Sequence, residues 1–156
     1  MSFGLELYSS ETYRKIHFVG TPSKALFKKY FPNLKNTYQD IEASKLALYH
    51  AYCSMAGNFP QILWTEISKN FEKDLDISAD SLKPYLKQIT SNFISNGETS
   101  VTGPLVRNEN RTLIRHLDAL ANKPLQGIYF SFMNLFRKNH KMEKPHESRG
   151  ISSDQI

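Results

Sequence analysis

A chain of 156 residues, 40 % hydrophobic and 22 % charged, has the composition of an ordinary globular domain long enough to bury a core. Its formal charge of +5 comes from scattered lysines and arginines, which argues against a nucleic-acid stripe. Its single cysteine, Cys53, excludes an internal disulfide and any metal site built on several thiolates, and it fits a reducing compartment.

Residues 1–20 alternate polar and apolar positions and carry Glu6 and Glu11, so they offer no continuous apolar core for a cleavable signal. Lys15 to Val19 reads as a short strand ending at Gly20. Thr21 then caps a helix with Pro22 at its first position. That helix carries Leu26, Phe27 and Tyr30 and stops before Pro32. Asn36 to Ile41 reads as a second strand. Strand, helix and strand over residues 1–41 make a βαβ unit. Two parallel strands are a poor sheet on their own, so partner strands are expected from elsewhere.

From Glu42 the apolar period becomes helical through Leu46, Tyr49, Tyr52 or Cys53, Ala56, Phe59 and Leu63. The helix is expected to reach Phe71, with a kink at Pro60. After a turn at Asp76–Ser78, a helix carrying Leu82, Tyr85, Leu86, Ile89 and Phe93 closes at Asn96-Gly97, a glycine C-cap signal. A loop from Gly97 to Asn108 centres on Thr102-Gly103-Pro104. A helix over 109–121 presents Leu113, Ile114, Leu117 and Leu120. Pro124 opens the last helix, with Leu125, Ile128, Tyr129, Phe132, Met133, Leu135 and Phe136. The basic run Arg137 to Lys141 reads as a solvated helix end, where cations complement the dipole. The longest apolar-rich stretch, Gly127 to Phe136, falls far short of the ~20 residues that span a bilayer. The expectation is a mainly α protein with a helical domain over 42–140 and a disordered tail over 141–156. It is expected to be cytoplasmic, with neither membrane nor nucleic acid as partner.

Three polar clusters are candidates for chemistry. His50, Ser54 and Asn58 fall at i, i+4 and i+8 and share one broad helical face. Either this face looks into a substrate cleft, with His50 as acid/base and Asn58 orienting substrate or water, or it packs against another helix through small residues. Spacing alone favours packing. Gly103 permits a positive φ, and Arg107 stands just before a helix N-terminus, where an anion can be held; the alternative is a surface ion pair. His116 faces either the same cleft or a neighbouring helix. The chain has no Gly-x-Gly-x-x-Gly, no Gly-Lys-Ser/Thr loop, no Gly-x-Ser-x-Gly and no His-Glu-x-x-His. No cofactor or metal site is therefore expected in it.

In combination, Tyr49-His50 with Asn58, Val101-Thr102-Gly103-Pro104, Arg107-Asn108-Glu109, Thr112 and Arg115-His116-Leu117 resemble the helical C-terminal domain of Rossmann-like, NADP-oxidoreductase-like proteins. That domain's own function is unassigned. The resemblance covers residues 1–137. Asn108 stands where the family has Gly, a replacement that Asn's tolerance of left-handed backbone permits. Glu109 stands where it has Asp, which weakens the helix cap. The resemblance implies a nucleotide-binding half lying before residue 1, NADP as cofactor of the full-length family, and a helical domain that forms a homodimer. By that analogy His50 and Asn58 are the catalytic candidates. Thr102, Gly103, Arg107 and His116 would contact an unknown small-molecule substrate in a shared cleft, and the chain would be catalytically incomplete alone. The competing expectation is a standalone helical interaction module without enzymatic activity.

Overall fold

Ser9 begins the first helix, α1 (Ser10–Arg14), by accepting the Thr12 N–H on its side chain, which satisfies one of the orphan donors of a helix start. A Glu11–Lys15 pair spans this short element. The computed structural model describes residues 7–21 and 23–140. The expected tail over 141–156 lies outside the described residues, as does Pro22.

Strand β1 (Phe18–Gly20) and strand β2 (Tyr38–Asp40) pair in parallel, with Phe18 opposite Tyr38 and Gly20 opposite Asp40. The expected first strand began at Lys15. In the structure Lys15 instead closes α1, and the strand starts three residues later. Asn36 fixes this junction: its side-chain amide donates to the carbonyls of Tyr13 and Ile16, at the end of α1 and just past it. Helix α2 (Lys24–Tyr30) connects the strands. Its N-cap is Ser23 rather than the expected Thr21. Phe27 stacks on Tyr38 at 4.4 Å and also touches Phe18 and Phe31, with ring centroids 5.4 Å away in each case. This aromatic cluster is what joins α2 to the strands. Among the described residues the sheet has these two strands alone.

A short 3₁₀ turn, Ala43–Lys45, leads into α3 (Leu46–Leu75), 30 residues long. Pro60 lies inside it, and the helix continues past it for four more turns. Asp76 ends the helix in the left-handed conformation (φ 53°) while the Ile77 N–H reaches the Phe71 carbonyl. The Asp76 N–H reaches the same carbonyl, so Asp takes the left-handed capping place usually given to glycine.

A 3₁₀ turn, Ala79–Ser81, capped by Ser78, precedes α4 (Leu82–Asn96). Gly97 (φ 57°) terminates α4, as its sequence position predicts. After a further turn, Gly97–Ser100, and the loop that follows come α5 (Asn110–Ala119) and α6 (Pro124–Asn139), with Pro124 at the first position of α6. The fold is thus mainly helical, preceded by a short two-stranded parallel sheet, as expected from the sequence.

The chain divides into two compact units, Met1–Lys83 and Pro84–Ile156. The second contains the packed core. Leu113 on α5 and Met133 on α6 are 1 % and 2 % exposed. Beside them Arg137, 7 % exposed, donates to the Asn110 side-chain oxygen at 2.9 Å, which gives a buried cation the acceptor it needs. Gln126 closes the α5–α6 connection by donating to the Leu117 carbonyl.

Candidate functional site

His50 and Asn58 lie on the N-terminal half of α3, both exposed, with half-buried Ser54 between them. Eight helical residues separate them by ~12 Å along the axis. The Tyr49 ring lies 5.8 Å from the His50 ring. Tyr49 also hydrogen-bonds Cys53 one turn on, and this bond, followed by partial burial, holds the Tyr49 hydroxyl above its ordinary value. Cys53 is a free, exposed thiol.

The second group of sequence-predicted residues belongs to the second compact unit. Thr102 is exposed, and Gly103 takes φ 101°, a conformation L side chains rarely adopt. The turn is then locked by its own backbone. The Gly103 carbonyl accepts the Arg107 N–H at 3.1 Å and the Pro104 carbonyl accepts the Glu109 N–H at 2.9 Å. Asn108 sits at φ 52°, the left-handed conformation that a Gly-to-Asn replacement tolerates.

Arg107 donates its Nε–H to Glu109. The pair raises the guanidinium above its ordinary value, and the Arg107 hydrogen bond lowers the Glu109 carboxyl below its own. Glu109 is the N-cap of α5 and makes no side-chain capping bond. Its carboxylate instead occupies the anion position beside Arg107, so an external anion at this place competes with an internal one. His116 Nδ1 lies 2.8 Å from the Tyr129 hydroxyl, and the two rings meet edge to face at 5.8 Å. This contact fastens α5 to α6, and burial raises the Tyr129 hydroxyl. The surface ion pair that the sequence offered for Arg107 is thus present, with Glu109, named from the sequence for its helix cap, as the partner, while Tyr129 is a partner of His116 that the sequence did not single out. An acid two residues after an arginine was a readable signal for the ion pair. Tyr129 was counted in an apolar stripe, which concealed its polar end.

The β1–α2 turn does not fit a dinucleotide. It carries one glycine, Gly20, and a Cβ added there would meet the Tyr38 hydroxyl at an ordinary 3.5 Å, so no cradle is kept open. A pyrophosphate needs several glycines to approach the backbone at a helix start. Among the described residues, no helix is long and apolar enough to cross a membrane.

Comparison with known proteins agrees with this architecture. A crystal structure from Bacteroides fragilis, described as a "putative NADP oxidoreductase", is similar in fold over 73 % of this chain, with a TM-score of 0.60 and 20 % sequence identity. The chain spans 44 % of that protein's length. No curated protein matches the sequence. Residues 20–134 match the family described as Domain of unknown function (DUF2520). With that match extending from β1 to α6, the chain belongs to the DUF2520 family.

Proposed function

We propose that this chain is the substrate-binding and dimerisation domain of an NADP-dependent oxidoreductase-like protein, with the nucleotide-binding half supplied from outside these residues. The observation that carries the reading is the fold likeness, which takes in most of this chain and less than half of the Bacteroides fragilis protein. The two-stranded parallel sheet supports it, because two parallel strands are a poor sheet by themselves and suit incorporation into a larger one. The glycine-poor β1–α2 turn agrees, since it leaves the nucleotide to another domain.

In this reading His50 and Asn58 serve the reacting group, and Thr102, Gly103, Arg107 and His116 serve substrate. Arg107 is the natural partner for a carboxylate or phosphate, which displaces Glu109 from the guanidinium. The chain alone is catalytically incomplete. Titration calorimetry tests the nucleotide part: the chain is expected to give no binding heat with NADP or NADPH, and micromolar binding of either overturns the assignment. Light scattering tests the dimer: a mass of twice 18.0 kDa is expected, and a monomer across a wide concentration range contradicts it.

A further inference from the structure

Helix α3 carries an apolar face that the described residues do not cover. Leu48, Tyr52, Met55, Phe59 and Ile62 are between 53 % and 65 % exposed. They are spaced alternately by four and three residues, the 3.5 period that keeps one seam facing a partner helix. Half-exposed Leu, Met or Tyr on the surface is ordinary singly; five in one helical line form a patch. His50 lies on the opposite side of α3 from this line, whereas Asn58, three residues after Met55 and four before Ile62, flanks it.

The ends of the line say what fits it. Continuing the spacing outward by one step reaches Lys45 at the N-terminal end and Glu66 at the C-terminal end. The sequence of positions 45, 48, 52, 55, 59, 62 and 66 then reads the same in both directions to within one residue, about Met55. A second copy laid antiparallel therefore places Leu48 against Ile62, Tyr52 against Phe59, and Met55 against itself. It also places Lys45 against the second copy's Glu66, twice by symmetry. Each of these charges sits beside an opposite charge of its own chain, Glu42 with Lys45 in the 3₁₀ turn that leads into α3 and Glu66 with Lys69 on α3, so antiparallel docking builds an alternating cluster at each end. A parallel pair would set Lys45 against Lys45 and Glu66 against Glu66. The helix dipoles also favour the antiparallel pair. The seam is ~32 Å long, and closing it removes on the order of 1,000 Å² from water over both copies, about the smallest area of a biological interface.

We infer that the face of α3 formed by Leu48, Tyr52, Met55, Phe59 and Ile62 is the docking surface for a second copy of this chain, antiparallel about a two-fold axis near Met55. The inference rests on the dimeric reading above and specifies its interface. A two-fold pairing is isologous, so every contact occurs twice and substitutions act doubly.

Sedimentation velocity on the 156-residue chain tests it, with circular dichroism confirming the helix content of each variant. Lys45→Glu alone and Glu66→Lys alone should each weaken the dimer by about tenfold, because each sets two like-charge contacts across the seam. Lys45→Glu combined with Glu66→Lys should restore the wild-type dissociation constant to within about threefold, since the pairs are re-formed with exchanged signs. Phe59→Asp should leave a monomer. All of these residues are surface groups, so the charge variants retain the fold even if Phe59→Asp does not. A wild-type dimer that is insensitive to Phe59→Asp, or a double charge reversal as weak as the single ones, overturns this seam and leaves the dimeric reading intact. A wild-type chain that stays monomeric overturns both.

Discussion

The α5–α6 pair and the N-terminal half of α3 are both amphipathic helical structure, yet they satisfy their apolar residues differently. Between α5 and α6, Leu113 and Met133 are enclosed, Arg137 finds Asn110, and His116 finds Tyr129. On α3 the line from Leu48 to Ile62 stays open. The first region encloses Leu113 and Met133 by itself, although Ile114 on α5 and Ile128, Phe130, Phe132 and Leu135 on α6 stay 42–55 % exposed. The second is built to the same helical rules and lacks its partner surface. The difference teaches that a regular apolar period identifies a face that needs covering without saying which molecule covers it.

The largest contrast should come from truncating one side chain in each region. Leu113→Ala should cost about 2–5 kcal/mol in denaturant unfolding, as expected for a fully enclosed leucine. Phe59→Ser, read under dilute conditions where the chain is monomeric, should cost less than about 1 kcal/mol. A comparable loss at both positions would erase the distinction between the regions.

A smaller effect is expected from the polar part of the core. Asn110→Ala removes the acceptor of a nearly buried guanidinium, and the unmet donor should cost about 1–3 kcal/mol by the same unfolding measurement. Arg137→Met, which removes the charge and keeps the length, should cost less than Asn110→Ala. The reverse order would mean that Arg137 contributes through contacts other than Asn110.

Tyr129→Phe keeps the ring and deletes the hydroxyl that meets His116. The expected loss is about 0.5–1.5 kcal/mol, the net worth of one hydrogen bond. Nuclear magnetic resonance of the His116 ring should register the change, and an unaltered signal would show that the bond does not persist in solution.

The smallest effect concerns exposed Arg107 and half-exposed Glu109. The folded Glu109 carboxyl lies below its ordinary value because Arg107 binds it. Such a group stabilises the folded state above the unfolded carboxylate range of ~4.3, and loses that contribution as pH falls through the depressed folded value. Glu109→Gln should therefore be slightly less stable than wild type at neutral pH and indistinguishable from it in acid. A difference that persists or grows in acid contradicts the pairing.

The sequence reading reached the order and type of the larger elements because their signals are local. The apolar period from Leu46, the glycine at 97 and the proline at 124 each act within a turn or two of themselves. It missed α1, whose five residues have no apolar stripe and are held by Ser9 and the distant Asn36. It placed β1 early because Lys15 to Val19 looks extended until the register with Tyr38 is known. The candidate site was legible as residue types. Its electrostatics were not, because the partners Glu109 and Tyr129 are fixed by the loop closure at Gly103 and by the α5–α6 packing. The exposed seam on α3 was hidden for another reason: periodicity reports which residues are apolar, and only coordinates report which of them remain uncovered.

Amide hydrogen exchange followed as a function of protein concentration tests most directly the claim that a second copy covers the line from Leu48 to Ile62 on α3, while the contacts around Leu113 and Met133 form within one chain. Association stabilises by mass action only what it covers. Protection of amides over residues 46–66 should rise with concentration, while protection in α5 and α6 stays constant. Protection in α3 that is equally high at all concentrations, or that rises in step with α5 and α6, would contradict the account.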